Sequence, residues 1–301
     1  MQTSNGVKIK LFYYLIFFGV FFSLGMVGYV FMLPTDNFRY ETLARDKIIA
    51  PYYKAESFKK PNKLPIASKS VKSVSAKAIN LPILMYHYVE DTMPKQSLIR
   101  KKLTINPKIF EEQLKSLSDA GFKFYFVRDI PGMLSGQIKP DKKSVVLTFD
   151  DGYKDFYSVV LPLLKKYQAK ATVYVITNTI GGEIYLSDAD LKELRDSGIV
   201  EIGSHTLDHV MLKEKSGQEA ERQIVESKKG LEKRLGIIIN TLAYPYGSFS
   251  AETVKLVQAA GYTAAVSVIP GRLQSADNLF YLSRLRPGER VGKELVNFAE
   301  R

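Results

Sequence analysis

The chain has 301 residues, of which 46% are hydrophobic, and this is enough for one large domain with additional segments. It contains no cysteine, which excludes disulfide bonds, thiolate nucleophiles and thiolate-bound zinc. The formal net charge of +12 arises mainly before residue 81, which favours an anionic envelope polymer or a lipid surface as partner and no nucleic acid.

An apolar run without any charged residue occupies residues 11–33. At about 1.5 Å per residue, a helix of this length crosses a bilayer core of roughly 30 Å. Lys8 and Lys10 precede the run and predict that residues 1–10 stay in the cytoplasm. We expect an uncleaved transmembrane signal anchor with the rest of the chain extracytoplasmic. Cleavage near Pro34, followed by secretion, is the alternative.

A basic segment rich in Lys, Ser and Pro follows at residues 34–80 and is typical of a flexible linker. From residue 81 to residue 301, strand and helix signals alternate, so we expect the folded domain there. Strands are predicted at residues 81–86, 122–126, 145–149, 171–176, 199–203, 237–243, 262–268 and 280–285. Helices are predicted after the capping residues Asn106, Asp129, Ser187, Ser216 and Ser250, around residues 161–167 and at 291–300.

This alternation predicts right-handed βαβ units and a parallel sheet. Seven or eight strands in about 220 residues indicate an α/β fold of the distorted (β/α)7–8 barrel type. An open doubly wound sheet is the alternative. No glycine-rich phosphate loop follows any predicted strand, so we expect no nucleotide site.

Two adjacent carboxylates, Asp150 and Asp151, follow the apolar strand at residues 145–149, and Gly152 provides a tight turn after them. Because like charges so close raise each other's pKa, we expect a cation beside them. Aspartates that cap a solvated loop are the alternative.

His205 and His209 lie four residues apart after another predicted strand, and one helical turn would point both imidazoles the same way. Such a pair also occurs by chance on surface helices. Carboxyl ends of barrel strands meet at one rim, so an aspartate from residues 150–151 can join the two histidines. Two histidines and one carboxylate with an open position indicate a hydrolytic metal site, with zinc as the default.

Three motifs occur in the order Thr-Phe-Asp-Asp-Gly at 148–152, His-Thr-Leu-Asp-His at 205–209 and Tyr-Pro-Tyr-Gly at 244–247. Together they resemble the polysaccharide deacetylases with a NodB-type domain, carbohydrate esterase family 4. The resemblance spans residues 81–290 and implies metal-dependent removal of N-acetyl groups from an N-acetylglucosamine polysaccharide. An O-acetyl esterase of the xylan type and an inactive glycan-binding domain are the alternatives.

By this resemblance Asp150 is the general base, and Asp151, His205 and His209 are the metal ligands. The backbone N–H of Tyr246 is the implied oxyanion donor. We expect Zn²⁺, with Co²⁺, Ni²⁺ and Mn²⁺ as alternatives, in a monomeric enzyme.

Two departures from the family pattern concern the base and the acid. Ala243 stands where many members carry the arginine that pairs with the base, and Arg284 is predicted to supply a guanidinium to Asp150 unless it is an ordinary surface arginine. No histidine follows His209, so the late catalytic histidine of many members is missing. His87 is the predicted general acid, as in the poly-N-acetylglucosamine deacetylases with permuted motif order, and a packed structural imidazole is the alternative. The chain has no tryptophan, so the Asp-Trp pair that often tunes this acid is absent.

Overall fold

Residues 78–300 are described by a computed structural model, and the predicted N-terminus, anchor and almost all of the linker lie outside them. Within residues 78–300, no helix is both long and apolar enough to cross a bilayer. The last two residues of the predicted linker, Ile79 and Asn80, form a short strand.

Strands and helices alternate along most of this part of the chain. The strands are β1 (Ile79–Asn80), β2 (Ile83–Tyr86), β3 (Tyr88–Val89), β4 (Thr104–Ile105), β5 (Lys123–Tyr125), β6 (Ser144–Phe149), β7 (Ala171–Val175), β8 (Val200–Ser204), β9 (Thr241–Ala243), β10 (Ala264–Pro270), β11 (Leu273–Gln274) and β12 (Leu282–Arg284). The helices are α1 (Leu98–Leu103), α2 (Pro107–Asp119), α3 (Ile130–Ser135), α4 (Leu161–Lys166), α5 (Asp188–Asp196), α6 (Gly217–Leu235), α7 (Ala251–Ala259) and α8 (Gly292–Glu300).

The main sheet contains eight strands, in the order β12-β10-β9-β8-β7-β6-β2, with β5 paired to the beginning of β6. Every pairing in it is parallel. At the seam, the Leu285 N–H donates to the Ile83 carbonyl at 2.8 Å, and the Met85 N–H donates to the Leu285 carbonyl at 2.9 Å. The sheet is therefore a nearly closed parallel barrel, as the sequence predicted, and its last strand lies beside β2.

The strands are buried on both faces, which explains their continuous apolar runs. In β6, Val145 and Leu147 pack against the outer helices, whereas Val146 packs in a second cluster with residues of the neighbouring strands. Because side chains alternate along a strand, Thr148 and Asp150 continue the Val146 face. This alternation turns Asp150 toward the barrel interior at the end of β6.

Helix starts followed the predicted capping residues closely. Ser187 and Asp190 form the predicted capping box, and the hydroxyls of Ser216 and Ser250 accept hydrogen bonds from the N–H groups three residues later. Helix α1 was not among the predicted helices. It has no buried face, and its start depends on the Ser97 hydroxyl, which accepts from the Arg100 N–H.

Candidate active site

Asp150 and Asp151 lie at the carboxyl end of β6, and both are almost completely buried. The Asp150 N–H donates to the Tyr86 carbonyl at 3.0 Å, which joins the β6 end to the β2 end. Asp151 has a φ of 78° and Gly152 a φ of 75°, so the chain reverses sharply between strand and helix. A Cβ at Gly152 would lie 3.3 Å from the Val175 backbone, which adds a packing reason for glycine in this left-handed turn. Because of this turn, the carboxylates of Asp150 and Asp151 point in different directions.

Arg284, at the end of β12, holds the Asp150 carboxylate with two parallel hydrogen bonds. Its Nη1 donates to Oδ1 at 2.7 Å and its Nη2 donates to Oδ2 at 2.8 Å. The guanidinium is itself buried and is fixed by its Nε, which donates to the Ser267 carbonyl at 2.7 Å, and by a contact of Nη1 with the Thr148 hydroxyl at 3.2 Å. Arg284 is thus no ordinary surface arginine.

The buried arginine decides the charge state of Asp150. Burial by itself would raise the pKa of this carboxyl group, but the charge and the hydrogen bonds of Arg284 outweigh burial and lower the pKa below its ordinary value. Asp150 is therefore an oriented anion at neutral pH.

The two histidines present their Nε2 atoms to the same carboxylate oxygen. His205 Nδ1 lies 2.8 Å from the Ala243 carbonyl, so Nδ1 carries the proton and donates, which leaves the Nε2 lone pair available. His209 Nδ1 lies 3.0 Å from the Tyr246 hydroxyl. The two Nε2 atoms are 3.5 Å and 3.1 Å from Asp151 Oδ1, respectively.

The prediction that a helical turn aligns the two histidines is wrong. Residues 205–211 contain no helix, and two of them, Thr206 and His209, have φ values of 66° and 56°. The His209 N–H donates to the Thr206 hydroxyl at 3.1 Å, which stabilises the loop. The imidazole centroids lie 4.7 Å apart, so a left-handed loop brings the rings together where the sequence spacing suggested a helix.

The cluster of Asp151, His205 and His209 fits a divalent cation. Each residue offers one ligand atom, and the three atoms lie within 4.8 Å of one another. Two imidazole nitrogens and one carboxylate oxygen are the donor set of hydrolytic zinc sites. The Ala243 carbonyl and the Tyr246 hydroxyl contact the Nδ1 atoms, as outer partners of metal-bound histidines do.

Tyr246 lies in the 3₁₀ turn Pro245–Gly247 after β9, with a φ of 59°. Gly247 also has a positive φ, and a Cβ there would come within 2.3 Å of the Val268 side chain. This turn fixes the Tyr246 backbone in a conformation that is strained for a tyrosine. Four of the five non-glycine residues with positive φ within residues 78–300 belong to the motifs of this site, and such strain is typical of functional sites. They are Asp151, Thr206, His209 and Tyr246.

His87 follows β2, and its Nε2 lies 3.9 Å from Asp150 Oδ2. Burial lowers the pKa of its imidazole to about 4, although the negative charges of Asp150 and Asp151 act in the opposite direction. Arg286 and Arg284 add to the lowering. His87 is therefore neutral in the resting protein near pH 7.

The structure collects every predicted site residue at one end of the barrel. These are His87, Asp150, Asp151, His205, His209, Tyr246 and Arg284. The sequence prediction missed the Tyr246 side chain, having named only its backbone, and it missed the Ala243 carbonyl and Thr148. A backbone carbonyl leaves no sequence signal, whereas Thr148 could have been found as the residue two positions before Asp150 on the same strand face.

Comparisons with known proteins show which family the chain belongs to. The polysaccharide deacetylase family model matches residues 137–265. The Bacillus subtilis protein YxkH, which is named for this family, is 33% identical over 241 residues that cover 78% of this chain and 83% of that protein. The chain therefore belongs to the polysaccharide deacetylase family, and it is a hydrolase acting on carbon–nitrogen bonds of acetylated polysaccharide.

Two further relatives add detail. The poly-β-1,6-N-acetyl-D-glucosamine N-deacetylase of Staphylococcus aureus is 29% identical over 209 residues, which cover 65% of this chain and 72% of that enzyme. The solved Streptococcus pyogenes deacetylase PplD, in complex with acetate, is 31% identical with a TM-score of 0.68. The match covers 75% of this chain and all of that one.

Proposed function

We propose that this protein removes N-acetyl groups from a polysaccharide that contains N-acetylglucosamine and releases acetate. The observation that carries the proposal is the convergence of Asp151, His205 and His209 beside Asp150, an anion oriented by Arg284. The name of the Staphylococcus aureus relative supports a glucosamine polymer, and the acetate in the Streptococcus pyogenes structure supports acetyl chemistry.

A divalent cation held by Asp151, His205 and His209, which we propose to be Zn²⁺, would polarise the acetyl carbonyl and acidify a water molecule. The protein's own contribution begins with Asp150, which takes a proton from the attacking water as general base. Arg284 keeps Asp150 ionised and aims its oxygens. The Tyr246 N–H, fixed by the left-handed turn, donates a hydrogen bond to the oxygen on which negative charge develops.

We assign the proton delivery to His87. Because burial keeps its imidazole neutral, His87 must first receive a proton before it can act as an acid. Asp150, whose Oδ2 lies 3.9 Å from His87 Nε2, holds that proton after the water has attacked the acetyl carbon. When the Asp150 carboxyl group and the His87 imidazole move slightly closer, the proton passes to Nε2. From Nε2 it passes to the leaving sugar amine as the carbon–nitrogen bond breaks.

Acetate release by the purified full-length chain tests the proposal. Oligomers of N-acetylglucosamine with β-1,4 and β-1,6 linkages should release acetate in a reaction that a chelator stops and a divalent metal restores. Faster release from acetylated xylan would favour the O-acetyl esterase alternative, and glycan binding without turnover under any metal would favour the inactive binder. Unchanged release by the His205→Ala variant would contradict the proposed site.

We also propose that residues 11–33 anchor the protein in the cell membrane with the enzymatic domain outside the cytoplasm. The uncharged apolar run and the preceding lysines support this arrangement. Sequencing of the native N-terminus tests it, because a mature chain beginning near Pro34 would replace the anchor with a cleaved signal.

A further inference from the structure

A pocket of about 310 Å³ opens beside His87 and is separate from the histidine–aspartate cluster. It lies between the segment at residues 101–105, which joins the end of α1 to β4, and the segment at residues 286–289, which follows β12. His87 lines it, so the pocket and the reaction site share one residue. A substrate whose sugar nitrogen reaches His87 therefore has this pocket beside it.

The wall at residues 286–289 is held in place by a buried glutamine. The Gln113 Nε2 donates to the Gly288 carbonyl at 2.7 Å and to the Arg290 carbonyl at 2.9 Å, and its Oε1 accepts from the Tyr86 hydroxyl at 2.9 Å. Gln113 is fully buried in α2. Because these bonds use both amide hydrogens and the carbonyl oxygen, they tie the wall to β2, the strand that His87 follows. One side of the pocket is therefore held in place by hydrogen bonds of the folded barrel.

The lining of the pocket is predominantly positive. Three basic residues, Lys101, Lys102 and Arg286, line it together with one acidic residue, Glu289. The Lys101 Nζ donates to the Pro94 carbonyl at 3.3 Å, which leaves other N–H groups of this ammonium for a ligand. The charge of Arg286 contributes to lowering the pKa of His87, so the positive field of the pocket extends to the reacting end of the site.

We propose that this pocket binds an anionic group, a carboxylate or a phosphate, that the polysaccharide carries next to the N-acetyl group to be removed. The inference rests on the proposed deacetylation and narrows its substrate class. Two lysines and an arginine attract such a group, and the same charges repel the ammonium groups of sugars that are already deacetylated. The pocket therefore favours chains with acidic substituents, such as a lactyl ether, over neutral or partly deacetylated ones.

The test compares three tetramers of β-1,4-linked N-acetylglucosamine with the full-length, metal-loaded protein. One is unmodified, one carries lactyl ethers on alternate sugars, and one carries phosphate on alternate sugars. We expect at least one anionic tetramer to have the higher kcat/KM, and its advantage over the neutral tetramer should shrink as salt is added. Comparison of kcat/KM for the lactyl and the phosphate tetramer identifies which anion the pocket binds better.

The Lys102→Gln/Arg286→Gln double variant should lower the ratio of anionic to neutral kcat/KM by roughly fivefold to twentyfold. The ratio is the useful readout, because any effect of Arg286 on His87 applies to every substrate and cancels. The Lys102→Arg/Arg286→Lys variant should restore the ratio. Lys192→Gln is the matched control, since Lys192 is exposed on α5, between β7 and β8, and neither strand neighbours β2 or β12.

Equal kcat/KM for the three tetramers, or an anionic preference that survives in the double variant, would overturn the inference. If no tetramer releases acetate with any metal, the proposed function fails instead. The anion preference of the pocket is then tested by equilibrium binding of the three tetramers. Tighter binding of an anionic tetramer, together with loss of this difference in the double variant, supports the inference. Equal binding of all three rejects it, and thermal unfolding of the double variant checks that it is folded.

Discussion

Two carboxylates are buried in the same barrel and are stabilised in opposite ways. Asp150, at the carboxyl end of β6, faces a buried guanidinium, and its pKa is lowered. Glu201, near the beginning of β8, accepts from the Thr172 and Thr241 hydroxyls at 2.8 Å each, and burial raises its pKa. A charged partner keeps a buried acid ionised and reactive, whereas neutral donors accommodate an acid that has a structural role. This matches the division of such barrels into a catalytic and a stabilising end.

The largest expected effect comes from removing the charge of Asp150 while keeping its shape. In the Asp150→Asn variant, the rate of acetate release should fall by roughly 10²–10⁴-fold, because the amide cannot accept the proton of the attacking water. Circular dichroism should show a folded protein. Activity within tenfold of the wild type would mean that another residue is the base.

Removing the guanidinium should affect both stability and rate. In the Arg284→Ala variant, Asp150 is left as a buried charge without its partner, so the free energy of unfolding should fall by about 3–5 kcal/mol. Acetate release should drop with it, since Asp150 becomes protonated or misaligned. Denaturant titration and initial rates measure the two effects.

A second change in the same variant sharpens this result. Ala243 is buried and belongs to the same interior cluster as Leu282, which lies two residues before Arg284 on β12. Adding Ala243→Arg should recover part of the lost activity, as in family members with an arginine before the Pro-Tyr pair. No recovery of activity would show that the guanidinium must come from β12.

Asp155 extends the comparison to a half-buried acid with fewer partners. Its Oδ2 accepts from the Val89 N–H, while its buried Oδ1 has no hydrogen-bond partner within residues 78–300, and burial raises its pKa to about 6. Between the ordinary pKa of an aspartate and about pH 6, the folded protein therefore binds more protons than the unfolded chain. The free energy of unfolding consequently decreases as the pH rises through this range. Asp155→Asn should be more stable than the wild type above pH 6 by roughly 2–3 kcal/mol. Thermal unfolding at pH 5 and pH 8 measures it, and an equal difference at both pH values would contradict it.

The smallest effect is expected at Glu201. In the Glu201→Gln variant, the carbonyl oxygen can still accept from the Thr172 hydroxyl and the Arg128 N–H, and the amide can donate to the Thr241 hydroxyl oxygen. Acetate release should stay within about twofold, and the free energy of unfolding within about 1 kcal/mol. A loss of activity comparable to that of Asp150→Asn would erase the distinction between the two acids.

The sequence was most informative where local chemistry determines the structure. The barrel, its strand order along the chain and the helix starts at Ser187, Ser216 and Ser250 followed from periodicity and capping. The position of Arg284 at a strand end, together with Ala243 at the usual arginine position, also pointed to a pairing with Asp150. These features depend on residues near one another in sequence or on a simple topological rule.

Other parts of the site depend on long-range packing and could not be read from local patterns. The histidine spacing suggested a helix, but the positive φ values of Thr206 and His209 have no local glycine signal and are imposed by the surrounding contacts. The Ala243 carbonyl orients His205 through the backbone, which any residue would supply. The neutrality of His87 is likewise a consequence of burial, which the strand pattern around it did not reveal.

The central claim is that Asp151, His205 and His209 hold one divalent cation through the two Nε2 atoms. A crystal structure of the Zn²⁺-loaded protein, with anomalous diffraction at the zinc edge, tests it most directly. We predict one strong peak in the barrel, about 2.0–2.2 Å from an Asp151 oxygen and from both Nε2 atoms. A peak at another location, or coordination through Nδ1 after loss of the contacts to Ala243 and Tyr246, would contradict the account.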